Sequence, residues 1–235
     1  MKSPYLIILF FLFGCQHNKQ WVCKGNCDNG FGDQQWKDGS YAIGHWINSK
    51  LSGSGEKFFG TSSEFVGDKY IGEFKNDNFD GHGMYFDSSE DSRHTGEFKN
   101  GIPNGYGVTQ FGPRAKYPNS HYEGQYKNGI YEGFGKLSFG TTGAYAGNKY
   151  VGYFINGKFG GQGKYSWPGI GYYAGAFKDN YREGKGTFVF EDGTVFNGVW
   201  VDDYNAEFSK LLKLHKPPIK SPDTPSVYPN KAYGH

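Results

Sequence analysis

The chain has 235 residues, of which 38 are glycine and 19% are Phe, Trp or Tyr, and its formal net charge is +2. Glycine well above its usual share of about 7%, with few aliphatic residues beside it, excludes an ordinary aliphatic-core domain, and so many rings exclude a chain that stays disordered. The near-neutral charge argues against a partner recognised through its phosphates, so no nucleic acid is expected.

In chain order, residues 1–14 come first. Lys2 precedes an apolar stretch, Tyr5 to Phe13, that is too short for a permanent membrane span and reads as a signal peptide. Its end, Leu12-Phe13-Gly14-Cys15, resembles the lipobox of bacterial lipoproteins, with Phe13 bulkier than the usual residue there. That resemblance implies a lipid on Cys15 and anchoring in the bacterial cell envelope; Gln16, where Asp would retain the inner membrane in enteric-type lipoproteins, favours the outer one. A plain secretory signal with an incidental Cys15, giving a secreted protein, is the alternative. Residues 15–28 then read as a linker in which Cys23 and Cys27, the even pair left over in an oxidising compartment, form a disulfide. His17 alone cannot complete a tetrahedral zinc site beside them.

A tandem array is expected over residues 29–204. Seven segments share the form aromatic-x-Gly-x-aromatic, with the first aromatic lost in two of them, and they are centred on Gly44, Gly72, Gly96, Gly124, Gly152, Gly175 and Gly198. Nine residues after each of the first six stands a Gly-x-Gly, as at Gly133/Gly135. Between the two motifs lies a turn signal, plainest at Asn100-Gly101, Asn128-Gly129 and Asn156-Gly157, so each unit is a β-hairpin closed by a type I′ turn. A worn half-copy, Asn29 to Gly39, leads the array.

A two-residue loop places Tyr122 opposite Gly135 and Gly124 opposite Gly133, and pairs Phe74 with Phe79, Tyr126 with Tyr131 and Phe154 with Phe159. The glycines then leave room for neighbouring rings to lie across the backbone. The opposite face carries Glu73, Lys75, Glu97, Lys99, Lys127 and Lys178 and reads as solvated. The aromatic row Tyr70, Phe74, Phe98, Tyr122, Tyr126, Tyr150, Phe154, Trp167, Tyr173 and Phe177 is the expected binding face, suited to sugar faces or apolar peptides, with the inserted loops as the alternative. Inserts at 61–69, 113–121 and 141–149 are expected to emerge as loops along one edge. One hairpin is marginal alone, so successive hairpins stack into an elongated, single-layer, twisted antiparallel sheet, an all-β fold.

Residues 205–216 follow as a short helix with Asn205 as N-cap; Phe208, Leu211, Leu212 and His215 share a face that would cap the last hairpin's open edge. Lys210, Lys213 and Lys216 suggest a membrane-surface helix as the alternative. The Pro-rich segment 217–235 is expected to be disordered.

The unit from Tyr122 to Gly135, Tyr-x-Gly-x-Tyr-x-Asn-Gly-x-x-x-Gly-x-Gly, resembles the MORN repeat, and the likeness extends over about residues 29–204. It implies a single-layer sheet of stacked hairpins acting as an interaction module, in some members beside an enzymatic domain or near membranes and phospholipids. No catalytic constellation, metal site or cofactor is expected: there is no His-Glu-x-x-His, no phosphate-binding Walker pattern and no nucleophile elbow, and His45, His82, His94 and His121 are scattered. The function expected is a non-catalytic, envelope-anchored binding or scaffolding module for a protein, glycan or lipid headgroup. The alternatives are a hydrolase of envelope polymer using loop carboxylates such as Glu90-Asp91 or Asp202-Asp203, or a purely structural envelope protein.

Overall fold

The computed structural model describes residues 21–215, so Cys15 and the signal segment, together with the Pro-rich tail, lie outside the described residues. Fifteen strands pair strictly in sequence order in one antiparallel sheet. They are β1 (Trp21–Gly25), β2 (Gly30–Trp36), β3 (Tyr41–Ile47), β4 (Lys50–Phe58), β5 (Lys69–Lys75), β6 (Asn78–Asp87), β7 (Ser92–Lys99) and β8 (Ile102–Gln110). Then come β9 (His121–Lys127), β10 (Ile130–Ser138), β11 (Lys149–Ile155), β12 (Lys158–Trp167), β13 (Gly171–Lys178), β14 (Tyr181–Phe190) and β15 (Val195–Trp200), followed by helix α1 (Ala206–His215). The array begins earlier than the sequence suggests. The expected linker enters the sheet at Trp21, and β1 pairs with β2 from Trp21 opposite Trp36 to Gly25 opposite Gly32, so the leading half-copy is a whole hairpin. The Cys23–Cys27 disulfide bridges the end of that hairpin's first strand to its turn.

The turns form as their residues dictate. Asn128 and Gly129 have φ of 51° and 75°, and the same left-handed pair is held without glycine at Asn76-Asp77 and Asp179-Asn180. Each turn also hangs on the hairpin before it: Gly129 N–H donates to the Pro103 carbonyl at 2.8 Å and Gly157 N–H to the Tyr131 carbonyl at 2.9 Å. Adjacent units are thus joined at their tips as well as along their strands.

The register inside each hairpin differs from the sequence expectation. Tyr126 does face Tyr131, but Gly124 faces Gly135 and Tyr122 faces Leu137, because the pairing slips between Tyr131 and Gly135. The cause is the first glycine of Gly-x-Gly. Gly133 sits at φ 72°, a conformation that breaks the regular ladder and inserts extra residues into the second strand. A Cβ on Gly133 would meet Gln125 on the outward side, so no ring lies over it; the rings lie over Gly124 and Gly135.

That slip builds the core. Two glycines face each other across the hairpin, and the leading tyrosine ring covers both: a Cβ on Gly135 would lie 2.6 Å from Tyr122 Oη, and on Gly83 2.1 Å from Tyr70 Oη. Having crossed the glycine pair, the hydroxyl donates to a carbonyl three residues on, from Tyr122 to Gln125 O at 2.9 Å and from Tyr150 to Tyr153 O at 2.8 Å. The ring's other contact is a flat stack on the second strand's aromatic, with centroids 3.8 Å apart for Tyr70/Phe79, 3.6 Å for Tyr122/Tyr131 and 3.8 Å for Tyr150/Phe159. The next unit then closes edge-on, Phe98 against Tyr70 at 5.1 Å and Phe177 against Tyr150 at 5.2 Å. One tyrosine therefore packs its own hairpin and joins it to the following one.

The last unit ends the column differently. Arg182 takes the position of the stacked aromatic, and its guanidinium donates to Asp203 Oδ1 at 3.0 Å and to the Asp203 carbonyl at 2.9 Å. Helix α1 covers this end as expected. Asn205 Oδ1 accepts the Phe208 N–H at 2.9 Å, its Nδ2 donates to the Val199 carbonyl on the edge strand at 2.8 Å, and buried Phe208 packs on Phe188 at 4.7 Å.

Gly135→Ala should destabilise the chain by about 2 kcal/mol in urea titrations, because the ring over it cannot retreat. In a Tyr122→Leu background the same change should cost at least about 1 kcal/mol less. Additive losses would contradict the nesting of ring on glycine.

Candidate binding surface

The ten residues expected to form the binding face are not a surface. Tyr70, Tyr122, Tyr150 and Tyr173 have no exposed area, and the most open of the ten, Trp167, is 6% exposed. Alternation along a strand identifies the face a ring takes but not whether neighbouring units close over it, and here they do. Burial raises the phenols of Tyr70, Tyr122, Tyr126 and Tyr150 well above their ordinary range. Gly72, Gly124, Gly152 and Gly175 lie under Tyr70, Tyr122, Tyr150 and Tyr173, so these repeat glycines are packing positions.

Accessible chemistry lies on the outward face. In β5–β8 it carries carboxylates tied to the bulges beside exposed Ile71 and Tyr106: Glu73 Oε1 accepts the His82 N–H at 3.1 Å, and Glu97 Oε1 accepts the Tyr106 N–H at 2.9 Å. Lys75, Lys99, Lys127 and Lys178 are exposed there as expected. From β9 onward the carboxylate is replaced by Gln125, Tyr153 and Ala176, and an apolar patch appears among the lysines. Phe134 and Tyr153, 49% and 51% exposed, stand opposite each other on β10 and β11 with ring centroids 5.7 Å apart. Val151 and Ile155 are exposed on the same face of β11, and Val151 stands between Lys136 and Lys164 on the flanking strands.

The inserts gather at the edge opposite the turns and carry a ladder that the sequence does not announce. Ser40, Ser92 and Ser120 each accept, through Oγ, the N–H of a glycine twenty residues on: Gly60 at 2.8 Å, Gly112 at 2.9 Å and Gly140 at 3.2 Å. The signal that could have found it is the dipeptide Phe-Gly at Phe59, Phe111 and Phe139. Within the inserts the Tyr85 hydroxyl donates to buried Asp68, whose carboxyl burial pushes up, and Asn148 Nδ2 donates to Tyr165 Oη at 2.8 Å.

A seam divides the core. Buried rings form one cluster from Cys27 to Phe98 and another from Phe111 to Phe208. Between them the third MORN-like unit carries His94 for the leading tyrosine, Pro103 for the stacked ring and Thr109 beyond. His94 Nδ1 and Thr109 Oγ1 are 2.9 Å apart, and Thr109 Oγ1 meets Tyr126 Oη at 2.6 Å. The imidazole lies edge-on to Phe98 at 5.2 Å and Tyr126 at 4.8 Å, and burial drives its pKa down to about 3.

Among the described residues no group of three or more His, Cys, Asp or Glu side chains could hold a metal ion. Asp203, one of the carboxylates considered for hydrolysis, is engaged with Arg182. No helix among the described residues is long and apolar enough to cross a membrane.

Five segments match the MORN repeat family: residues 70–92, 94–113, 122–143, 150–169 and 173–195. The chain thus contains five MORN repeats, which correspond to the hairpins from β5 to β14. The flanking strands continue the same sheet without matching, and there Ala42 stands where the other units carry an aromatic ring or His94, and Lys57 where they carry Tyr85, Thr109, Leu137, Tyr165 and Phe188. No curated protein matches the chain.

His94 makes the seam acid-sensitive. Its pKa is about 3 folded against 6.5 for the free group, so below pH 6.5 the unfolded chain binds the extra proton. Stability from this group is intact above pH 6.5 and falls by up to about 1.4 kcal/mol per pH unit as pH drops toward 3. His94→Tyr, which restores the leading ring, should flatten the acid limb of urea stability by about 1 kcal/mol per pH unit; an unchanged slope would contradict the buried neutral imidazole.

Proposed function

We propose that this chain of MORN repeats is a non-catalytic binding or scaffolding module, held at the cell envelope by a lipid on Cys15, and that it meets its partner through the outward face across β10–β12. The observation that carries the reading is the exposed Phe134–Tyr153 pair with Val151 and Ile155 beside it. The fold does not need those rings. Its core lies wholly on the other face, and the equivalent outward positions in β5–β8 are filled by Glu73, His82, Glu97 and Tyr106. Paired rings on a rigid strand scaffold lose little side-chain entropy on contact, and the lysines opposite Val151 supply a polar rim, the arrangement expected of a recognition patch for a protein, glycan or lipid headgroup.

A non-catalytic role is supported by how the acid–base groups are employed. Asp68 receives the Tyr85 hydroxyl, Asp203 holds Arg182, and His94 is buried as the neutral form, each engaged in holding the fold. Membrane attachment through Cys15 rests on the lipobox-like Leu12-Phe13-Gly14-Cys15, a few residues before the sheet begins at Trp21.

Phe134→Ser with Tyr153→Ser should leave urea stability within about 1 kcal/mol, since an exposed cross-strand pair contributes little. The same double variant should weaken binding to the isolated envelope fraction by about tenfold or more. In cells, Cys15→Ser should move the protein from the membrane pellet to the soluble fraction. Undiminished envelope binding by the double variant would remove the proposed patch, and a pelleting Cys15→Ser protein would remove the anchor.

A further inference from the structure

Lys57 breaks the repeat at an inward position. It follows Gly55 by two, where the other five units carry Tyr85, Thr109, Leu137, Tyr165 and Phe188, all buried. In the sheet it stands between Ala42 on β3 and Tyr70 on β5. Its ammonium lies 5.0 Å from the Phe59 ring centroid and opens into a groove of about 750 Å³ walled by Trp36, Phe58, Phe59 and Phe65, with Ser62 and Ser63 on the insert side. Phe59 and Phe65 pack edge-on at 5.5 Å, so that wall is fixed.

The amine has no hydrogen bond or ion pair among the described residues. The residue placed to serve it is already engaged: Ser40 stands where Asp68 and Asn148 cap Tyr85 and Tyr165, but its Oγ donates to Asp38 Oδ2 and accepts the Gly60 N–H. Burial accordingly holds the Lys57 pKa below its ordinary value, countered in part by the charge of Asp77. A half-buried cation that has a ring face beside it but no hydrogen bond or ion pair among the described residues is destabilising unless something supplies the counter-charge.

We propose that the Lys57 groove is a binding site for a small monocarboxylate with an apolar or aromatic body, its carboxylate on the Lys57 ammonium and its body against Trp36, Phe59 and Phe65. The volume lies within the range of small-ligand sites, and ring walls with a few placed polar or charged groups are their usual composition. The rim selects against more highly charged anions, because Asp38 and Glu64 line the same groove and offset Lys37. The site is separate from the outward patch on β10 and β11, so either can fail without the other.

The test is calorimetric titration of the full-length mature protein with 3-phenylpropanoate and decanoate, with 3-phenylpropanamide and decanamide as uncharged counterparts. At least one acid should bind, its amide should bind about tenfold or more weakly, and Lys57→Met should erase that preference. Lys37→Met should leave the acid's affinity within about twofold. Should Lys57→Met fold poorly, protection of Lys57 from acetic anhydride by the bound acid, read from the mass of its peptide, gives the same answer in the unaltered chain. Equal affinity for acid and amide, binding indifferent to Lys57→Met, an unprotected Lys57, or no heat from either acid would each overturn the assignment.

Discussion

The structure depends on one contact repeated along the chain: a tyrosine ring lying across two glycines that face each other in a hairpin. Without a Cβ on either glycine the ring reaches the backbone, stacks on the partner strand's aromatic and delivers its hydroxyl to a carbonyl. The contact explains why the leading residue is tyrosine in most units, since phenylalanine would fill the space but leave that carbonyl without its donor. It also explains how a single sheet has a core at all. The ring joins its own hairpin to the next through an edge-on neighbour, so the apolar face is closed by repetition instead of by a second layer.

Where the repeat departs from this contact, the chain acquires its particular properties. His94, with Pro103 and Thr109, splits the rings into two clusters joined by a polar link and gives the seam its acid sensitivity. Arg182 ends the column with an ion pair to Asp203 beneath the helix, its guanidinium over the Phe208 ring. Lys57, paired with the small Ala42, lines a groove at a position where the other units bury Tyr85, Thr109, Leu137, Tyr165 and Phe188. On the outward side, the exchange of Glu73 and Glu97 for Gln125 and Tyr153 turns a charged surface into an apolar patch. A regular scaffold makes such exchanges tolerable, because each unit leans mainly on its neighbours and the loss stays local.

Much of this was legible in the amino-acid sequence. The glycine spacing revealed the hairpins, the Asn-Gly dipeptides their turns, Asn205 the helix start, and Cys23 and Cys27 their bridge. The register was not, because a period of two cannot be carried straight through Gly133, whose positive φ interrupts it, and residue type alone does not separate a bulge glycine from a packing glycine. The burial of the aromatic row was hidden for a different reason: alternation puts Tyr122 and Phe134 on opposite faces, and only the closure of adjacent units shows that the face with Tyr122 is core while Phe134 stays exposed. The serine-to-glycine ladder through Ser40, Ser92 and Ser120 joins residues twenty apart at the strand ends beside the inserts, where the hairpin motif does not reach and only the recurring Phe-Gly marks the acceptor's partner.

The nesting of ring on glycine is tested most directly by the proton chemical shifts of the glycines themselves. The Hα resonances of Gly83, Gly135, Gly163 and Gly186, each beneath a tyrosine, should be displaced upfield by the ring current, while those of Gly39 and Gly193, which have open space where a Cβ would project, should not. Replacing Tyr122 with leucine should return Gly135 to its ordinary position and leave Gly83, Gly163 and Gly186 displaced. Ordinary shifts for all four covered glycines, or a Gly135 resonance indifferent to the loss of Tyr122, would mean that the rings lie elsewhere and that another contact holds the sheet.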